Sequence, residues 1–452
     1  MGLDELPDEL SRVFAAPRWI ILNGVSANTQ ALIDQLREWG ASEFLVVAGE
    51  EGVGDQPDAE VVRMPSPPGS VMEGFRRFAQ KVIDPPRAVR SAVDRFDPDG
   101  SARVLAPMFA VPETFLGRRL HGSRPTSWEM LEDKTAVDDL WEQAGVAHAP
   151  SAVVALSDAP AVAERMAAER GTVWAADNSE GWHGGGEFTR WVPDGEAAQR
   201  VVDEWRGRIR RVRVMPFLDG IPCSIHGVVT GDGVAPLLPV ELLILRRVDR
   251  TGFVYAGVAN TWGPPRRLRD EMRQAARTVG EVLRERIGIR GPFSIDGVAT
   301  ADGFRPTELN PRFSVGYGIQ AASVPELCGG FFVRALIEGA LDVAAAELEE
   351  RVVAAAEAER RIRMGVPVDG VHERRVMRLA VDGEGVAVRD DGDELEIGPS
   401  PSGSFLMWRV EADAVPRGPS FAPYAAAAVD EARRAWRLPL PAVEPSPNAM
   451  TD

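Results

Sequence analysis

Phe293-Ser-Ile-Asp-Gly-Val-Ala-Thr-Ala-Asp-Gly-Phe-Arg-Pro-Thr-Glu-Leu-Asn-Pro-Arg312 is the stretch on which the fold of this chain turns. Asp302-Gly303 is a two-residue hairpin signal set between two alternating runs. Asp296 falls on the first arm. Glu308 and Asn310 fall on the second, two apart, so their side chains share one face. An acid on one arm can then meet an acid and an amide on the other. Two carboxylates and an amide oxygen make a hard oxygen site suited to Mg²⁺ (or Mn²⁺), which keeps its other positions for water and phosphate. Arg312, two residues beyond Asn310, points to the same side and can bridge phosphoryl oxygens. For Asp-Gly alone, a solvated hairpin with ordinary surface charges is the plainer reading; the whole set favours a site.

Outward from the hairpin the chain reads as α/β. Arg18–Asn23 and Glu43–Ala48 are apolar runs flanking a helical stretch, Asn28–Trp39, which predicts a parallel βαβ unit. Ala102–Ala106 reads as a third strand, and Glu129–Ala144 as a helix closed by Gly145. Short strands are expected at Val153–Leu156 and Gly171–Trp174. A glycine-dense loop follows, Gly181-Trp-His-Gly-Gly-Gly186, with Phe188–Val192 as the returning arm of a hairpin. Arg267–Ile287 and Leu336–Arg361 have helical patterns. Arg374–Val388 and Glu394–Val410 read as strands of a small C-terminal lobe, and Pro439–Asp452 as a frayed end.

Composition removes several classes of function. The 452 residues carry 51 basic and 68 acidic side chains, a net charge of −17, which disfavours nucleic acid as a main partner. No apolar run approaches the ~20 residues of a membrane span. Met1–Arg18 lacks the basic and then apolar run of a secretory leader. Cys223 and Cys328 fit neither a paired metal spacing nor a disulfide framework. The expectation is a cytoplasmic protein with no membrane partner. No nucleophile elbow, zincin helix or Gly-x-Gly-x-x-Gly fingerprint is present. Only Lys81 and Lys134 are lysines, a bias that GC-rich coding explains, and it makes each retained lysine worth inspecting.

Glu308-x-Asn310-Pro-Arg312, with Asp296 twelve positions earlier, resembles the metal-binding end of the ATP-grasp superfamily. The resemblance runs back over about Trp128–Gly330. Glu132-Asp-Lys134 with Gly145–Pro150 resembles the opening of the first ATP-binding lobe, and Gly181–Gly186 the flexible loop over the phosphates. Val214–Gly220 resembles the hinge strand beside adenine, and Ser314–Gly318 the small-residue turn after Asn-Pro-Arg. The fold so implied is an ATP-grasp module at 119–350, with lobes at about 119–212 and 213–350. A Rossmann-like but incomplete domain at 1–118 precedes it, and a C-terminal lobe and tail at 351–452 follow.

The resemblance also implies roles. Asp296, Glu308 and Asn310 would hold Mg²⁺ (or Mn²⁺), and Lys134 would meet the α- or β-phosphate of ATP. Gly184, Gly185 and Gly186 would let backbone N–H groups approach phosphate oxygens. Met215, Phe217 and Leu218 would border adenine and Asp219 the ribose, although the first three are equally at home as core strand residues. His226, Glu241, Arg246 and Arg247 lie between hinge and metal motif, where substrate approaches; Arg246 could grip a carboxylate, and solvent-facing strand charges are the alternative. Arg312 and Arg246 are the catalytic candidates. The implied reaction is an ATP- and Mg-dependent carboxylate–amine ligation through an acylphosphate, releasing ADP and phosphate. Its substrates are small acids and amines (amino acids or short peptides), as in peptide ligases of actinomycete natural-product pathways, and a homodimer is left open. A non-catalytic nucleotide-binding protein and a small-molecule kinase of the same fold are the alternatives. One departure is plain. Family members carry a second lysine on the strand before the glycine-rich loop, whereas Thr172–Asp177 has none; Arg190, Arg213 and His183 are the candidates to replace it.

Overall fold

The apolar runs of the N-terminal third have no polar alternation, as strands covered on both faces require. They build a mainly parallel sheet from β1 (Arg18–Val25), β2 (Glu43–Glu50), β3 (Glu60–Arg63), β4 (Arg103–Leu105), β5 (Thr114–Phe115) and β6 (Arg118–His121), in the order β3-β2-β1-β4-β6-β5. Helix Gln30–Glu38 crosses over between β1 and β2, whose register sets Ile20 beside Leu45. The computed structural model describes residues 1–67, 71–109, 111–181, 183, 184, 186–368, 378–382, 385–388, 395–400 and 405–446.

A second, antiparallel sheet follows, with β7 (Ala152–Ala155), β8 (Thr172–Ala176), β9 (Thr189–Val192) and β10 (Arg211–Pro216) in the order β7-β10-β8-β9. The chain leaves β10 through Phe217–Gly220 and enters a third sheet, so this short link joins two lobes. At Gly220 a Cβ would stand 2.2 Å from the Ala299 carbonyl oxygen, so only glycine fits. The third sheet holds β11 (Ile221–Val229), β12 (Val234–Arg247), β13 (Phe253–Ala259), β14 (Gly291–Thr300), β15 (Gly303–Asn310) and β16 (Ile362–Pro367). It continues through β17 (Arg378–Asp382), β18 (Gly385–Val388), β19 (Leu395–Pro399) and β20 (Phe405–Val410). Its order is β15-β14-β11-β12-β13-β16-β20-β19-β17-β18, with β21 (Val443–Glu444) paired to Arg246 and Arg247 of β12. The C-terminal strands therefore extend the same sheet, and β15 stands at its edge.

Two helical expectations and one turn change. Glu129–Ala144 is a 3-10 segment, Thr126–Glu132, and a separate helix, Asp138–Ala144. The Asp133 carboxylate accepts from the Thr135 backbone N–H at 2.8 Å and its hydroxyl at 2.7 Å, a local turn that competes with the helix and leaves Lys134 between the two pieces. Leu336–Arg361 is likewise divided, into Phe331–Ile337 and Ala345–Ala358, at a turn containing Gly339 with φ +66°. The turn expected at Ser314–Gly318 is a helix, Val315–Ala321, whose Ser314 hydroxyl accepts from Tyr317 N–H. In the C-terminal stretches, 369–377, 383, 384, 389–394, 401–404 and 447–452 lie outside the described residues, and Val443–Glu444 is a paired strand rather than a frayed end.

The largest core joins the lobes. Leu6, Leu10 and Phe14 of helix Leu6–Phe14 pack with Phe331 and Leu336, and the Phe14 and Phe331 rings meet edge to face at 5.0 Å. Among the described residues no helix is long and apolar enough to cross a membrane, and both cysteines are free thiols.

One buried charge ties the small sheet to the hairpin. Arg213 on β10 is fully buried, donates to Asp138 Oδ2 and Oδ1 at 2.9 and 2.6 Å, and reaches the Thr307 carbonyl at 3.2 Å. Removing one partner of such a pair strands the other charge. Asp138→Ala is expected to lower stability by about 3 kcal/mol, measured as a fall in the urea midpoint, and Asp138→Asn by less.

Candidate active site

The hairpin turns at Ala301-Asp302 with Thr300 paired to Gly303, and a bulge at Asp296/Gly297 then shifts the register so that Asp296 on β14 stands opposite Glu308 on β15, and Ser294 opposite Asn310. Like charges facing each other across a strand pair repel, and two cations answer them. Lys134 Nζ lies 3.0 Å from Glu308 Oε2 and donates to Thr189 Oγ1 at 3.3 Å. Arg312 donates from Nη2 to Asn310 Oδ1 at 2.8 Å, and Asn310 Nδ2 donates to Asp296 Oδ2 at 3.0 Å. Burial first, and then the Glu308 charge, push the Asp296 carboxyl up to about 6. A carboxylate so placed gains from any added cation.

Behind Arg312 stands a second layer that the sequence reading missed. Glu132 is 1% exposed; its Oε2 accepts from Arg312 Nε at 2.9 Å and its other oxygen from the buried Arg124. The carboxylates beside it hold the Arg312 guanidinium in its charged form, against its burial. The one available signal was an acid two residues before Lys134, and Glu129 and Asp133 in the same segment dilute it. Its partner Arg124 carries no signal in sequence.

The glycine-rich loop comes over the same corner. A Cβ on Gly184 would lie 3.8 Å from Arg312 Nη2 and 3.6 Å from Met72 Cε. Gly186 takes φ +79° with open space around it, whereas Gly185 lies outside the described residues, as does Trp182. Glu187, just past the loop, accepts from both terminal nitrogens of Arg76 at 3.1 and 3.3 Å, which fastens it to helix Val71–Ile83. His183 is buried rather than on the surface. Its ring meets Phe188 edge to face at 5.0 Å, and burial and then the Lys134 charge lower its pKa. The two arginines proposed to replace the missing lysine are committed elsewhere: Arg213 to Asp138, and Arg190 to Glu204 with its guanidinium over Trp205.

Met215 is the penultimate residue of β10, and Phe217, Leu218 and Asp219 lie in the link to the next lobe. Met215 and Phe217 are buried, and the Phe217 ring stands 5.1 Å from Trp191. Asp219 is half-exposed and pairs with Arg170 at 2.8 Å. His226 lies two residues from Ser224, the β11 partner of Asp296, and burial alone pulls its pKa down to about 3. It packs so closely on helix Val315–Ala321 that a Cβ on Gly316 would sit 2.4 Å from the His226 ring. Three other candidates do not join the corner. Arg246 stands at the far end of β12 against Glu444 (3.2 Å) and the Trp191 ring, near Asp219 and Arg170. Arg247 pairs with Asp249 in the adjoining turn. Glu241 is fully buried beneath the C-terminal lobe. It accepts from Phe421 N–H at 2.7 Å, Ala422 N–H at 3.3 Å and the Ser420 hydroxyl, at the start of helix Ala422–Trp436.

No cluster of three or more His, Cys, Asp or Glu poised for a metal occurs among the described residues. The corner instead offers two facing carboxylates and an amide oxygen on the last two strands of the sheet. This donor set fits a divalent cation that retains water and phosphate ligands, and the raised Asp296 carboxyl is the local sign of an unbalanced negative pair.

No family model matches the sequence, and no curated protein matches it. Solved structures do. A biotin carboxylase from Campylobacter jejuni in complex with β-γ-ATP is similar over 96% of this chain and 94% of its own, with 11% identity and a TM-score of 0.56. A Rhizobium etli pyruvate carboxylase with acetyl coenzyme A is similar over 95% of this chain at 14% identity and a TM-score of 0.54; this chain spans 38% of it. The likeness shows the fold: the chain has the α/β ATP-grasp fold.

The Glu241 anchor sets a pH dependence. Burial raises its folded pKa to about 7, against the pull of its three donors, from an ordinary value of 4.5. The folded state therefore holds a proton that the unfolded state has released between these values. Its contribution is full below about 4.5 and is lost as pH rises through about 7. The urea midpoint is expected to fall from pH 5 to pH 8, and Glu241→Gln to flatten that slope.

Proposed function

With the ATP-grasp fold as premise, we propose that this chain is an ATP- and Mg²⁺-dependent carboxylate–amine ligase that joins amino acids or short peptides. The observation that carries the reading is the convergence of Asp296, Glu308, Asn310, Arg312 and Lys134 on one corner under the Gly184 loop. Composition adds that the acidic surface suits small substrates better than polyanions. The similar carboxylase that holds β-γ-ATP supports a nucleotide at this corner.

Asp296, Glu308 and Asn310 would hold Mg²⁺, which when bound neutralises β- and γ-phosphate charge and polarises the transferred group. The chain's own residues do the rest. Lys134, placed between Glu308 and Thr189, presents a point charge to the α- or β-phosphate. Arg312, oriented by Glu132, offers its guanidinium to the oxygens of the transferring phosphoryl group. Met215, Phe217 and Leu218 border adenine and Asp219 the ribose. A substrate carboxylate oxygen attacks the γ-phosphorus, the bond to the β-γ bridging oxygen breaks, and ADP leaves. The amine nitrogen then attacks the acyl carbon, the C–O bond to phosphate breaks, and the amine gives up a proton as the amide forms. Closure of the Gly181–Gly186 loop excludes the water that would hydrolyse the acylphosphate.

One observation favours a second reading, a nucleotide-binding protein without turnover: β8 has no lysine, and Arg190 and Arg213 are tied to other acids. A coupled assay separates the two. Wild type is expected to release ADP only when an acid and an amine are both present, and Asp296→Ala or Glu308→Ala to lower that release at least about 100-fold. AMP as product, or ATP binding without ADP release from any acid–amine mixture, would overturn the ligase. A phosphorylated acid that accumulates would make it a kinase.

A further inference from the structure

Helix Val315–Ala321 begins three residues after Arg312 and buries Gly316, Tyr317 and Gln320 against the sheet. Phe313 ahead of the helix, the exposed Val315, and Ile319, itself largely buried against Val240 and Val258, line one wall of a cleft of about 550 Å³, whose opposite wall is β16 and β20. That volume is within the range of small-molecule sites. Val315 is 42% exposed, although it belongs to the helix that follows the phosphate-facing motif.

The opposite wall is basic, unlike the rest of this acidic chain. Arg360, Arg361, Arg363 and Arg409 line it, with Glu359 and Glu411 as the acids among the lining residues. Arg361 is engaged by Glu359 and donates to Ser323 Oγ at 3.3 Å, and Arg409 reaches Glu411 at 3.5 Å. Arg360 donates to the Asn260 carbonyl, with its Nε buried and without a partner among the described residues. Arg363 is exposed and has no ion pair among the described residues. Four guanidiniums beside an apolar wall suit a ligand with one carboxylate and an apolar body, gripped bidentately at its anionic end.

We propose that this cleft seats the amine component, with its retained carboxylate on Arg363 and Arg409 and its apolar side chain on Phe313, Val315 and Ile319. Its amino end then points back along the helix toward Arg312. This rests on the ligase reading and adds the substrate class: an amino acid or peptide with a free C-terminal carboxylate and an apolar residue.

Calorimetry on the full chain without nucleotide tests the cleft, with the dipeptide leucyl-phenylalanine and its C-terminal amide as probes. The acid is expected to bind at least about tenfold more tightly than the amide, and an Arg363→Ala/Arg409→Ala variant, its fold checked by circular dichroism, to remove that preference. Equal binding of acid and amide, no binding of either, or an unchanged preference in the variant would each overturn the cleft. An ADP-release assay distinguishes this from failure of the ligase reading. Carboxylate-selective binding without ADP release from any mixture defeats the ligase and leaves the cleft. ADP release with an unchanged KM for the amine in the variant defeats the cleft and leaves the ligase.

Discussion

Two carboxylates held face to face across neighbouring strands are the constraint to which the rest of this molecule answers. Asp296 and Glu308 cannot turn away from each other, because the ladder of β14 and β15 fixes their register. Burial denies Asp296 the screening that water gives an exposed pair. Each neighbouring charge has a place in the resulting balance. Lys134 meets Glu308 directly, Arg312 reaches Asp296 through Asn310, and Glu132 steadies Arg312 while Arg124 steadies Glu132. The alternation of sign continues from the sheet edge to Glu132 in the segment Thr126–Glu132, 180 residues before Arg312 in the chain.

That alternation explains the order of the lobes. The carboxylates come from a hairpin at the edge of the large sheet, Lys134 from the threshold of the small lobe, and the covering glycines from a loop clasped by the N-terminal lobe. Were the small lobe to drift, Lys134 would leave Glu308 and the two facing carboxylates would lose that cation. The shared core of Phe14, Phe331 and Leu336 holds the N-terminal and central parts together, and the helix start at Ser420–Ala422 fixes the C-terminal lobe on Glu241. These anchors lie outside the chemical corner, yet they set its dimensions.

How much of this could be read from sequence depends on the range of the interaction concerned. That Asp296 and Glu308 lie on the two arms of one hairpin follows from Asp302-Gly303, because a tight turn is a local rule, whereas their direct facing needs a bulge at Asp296/Gly297 that no alternation records. The parallel β1–β2 unit follows from two unbroken apolar runs and the helix between them. Lys134 is different. Its neighbourhood has helical periodicity, but an Asp133 side chain captures the Thr135 backbone and ends the helix early. The pairings of Arg190 with Glu204, Arg213 with Asp138 and Arg246 with Glu444 join residues 14, 75 and 198 positions apart, and no periodicity records which acid an arginine will find. With 49 arginines in the chain, sequence gives many candidates and little discrimination.

The clasp on the glycine-rich loop has a consequence in kinetics. The chain leaving the loop is held by Arg76 on Glu187 and, two residues on, by Thr189, which accepts from Lys134. Lifting it means parting a half-exposed ion pair, which is worth roughly 0.2–1 kcal/mol, close to thermal energy. Such a tie favours the position of Glu187 beside helix Val71–Ile83 without confining it there. Opening would be frequent and brief, and the residence of anything beneath the loop would be set by what it holds on to rather than by the cover.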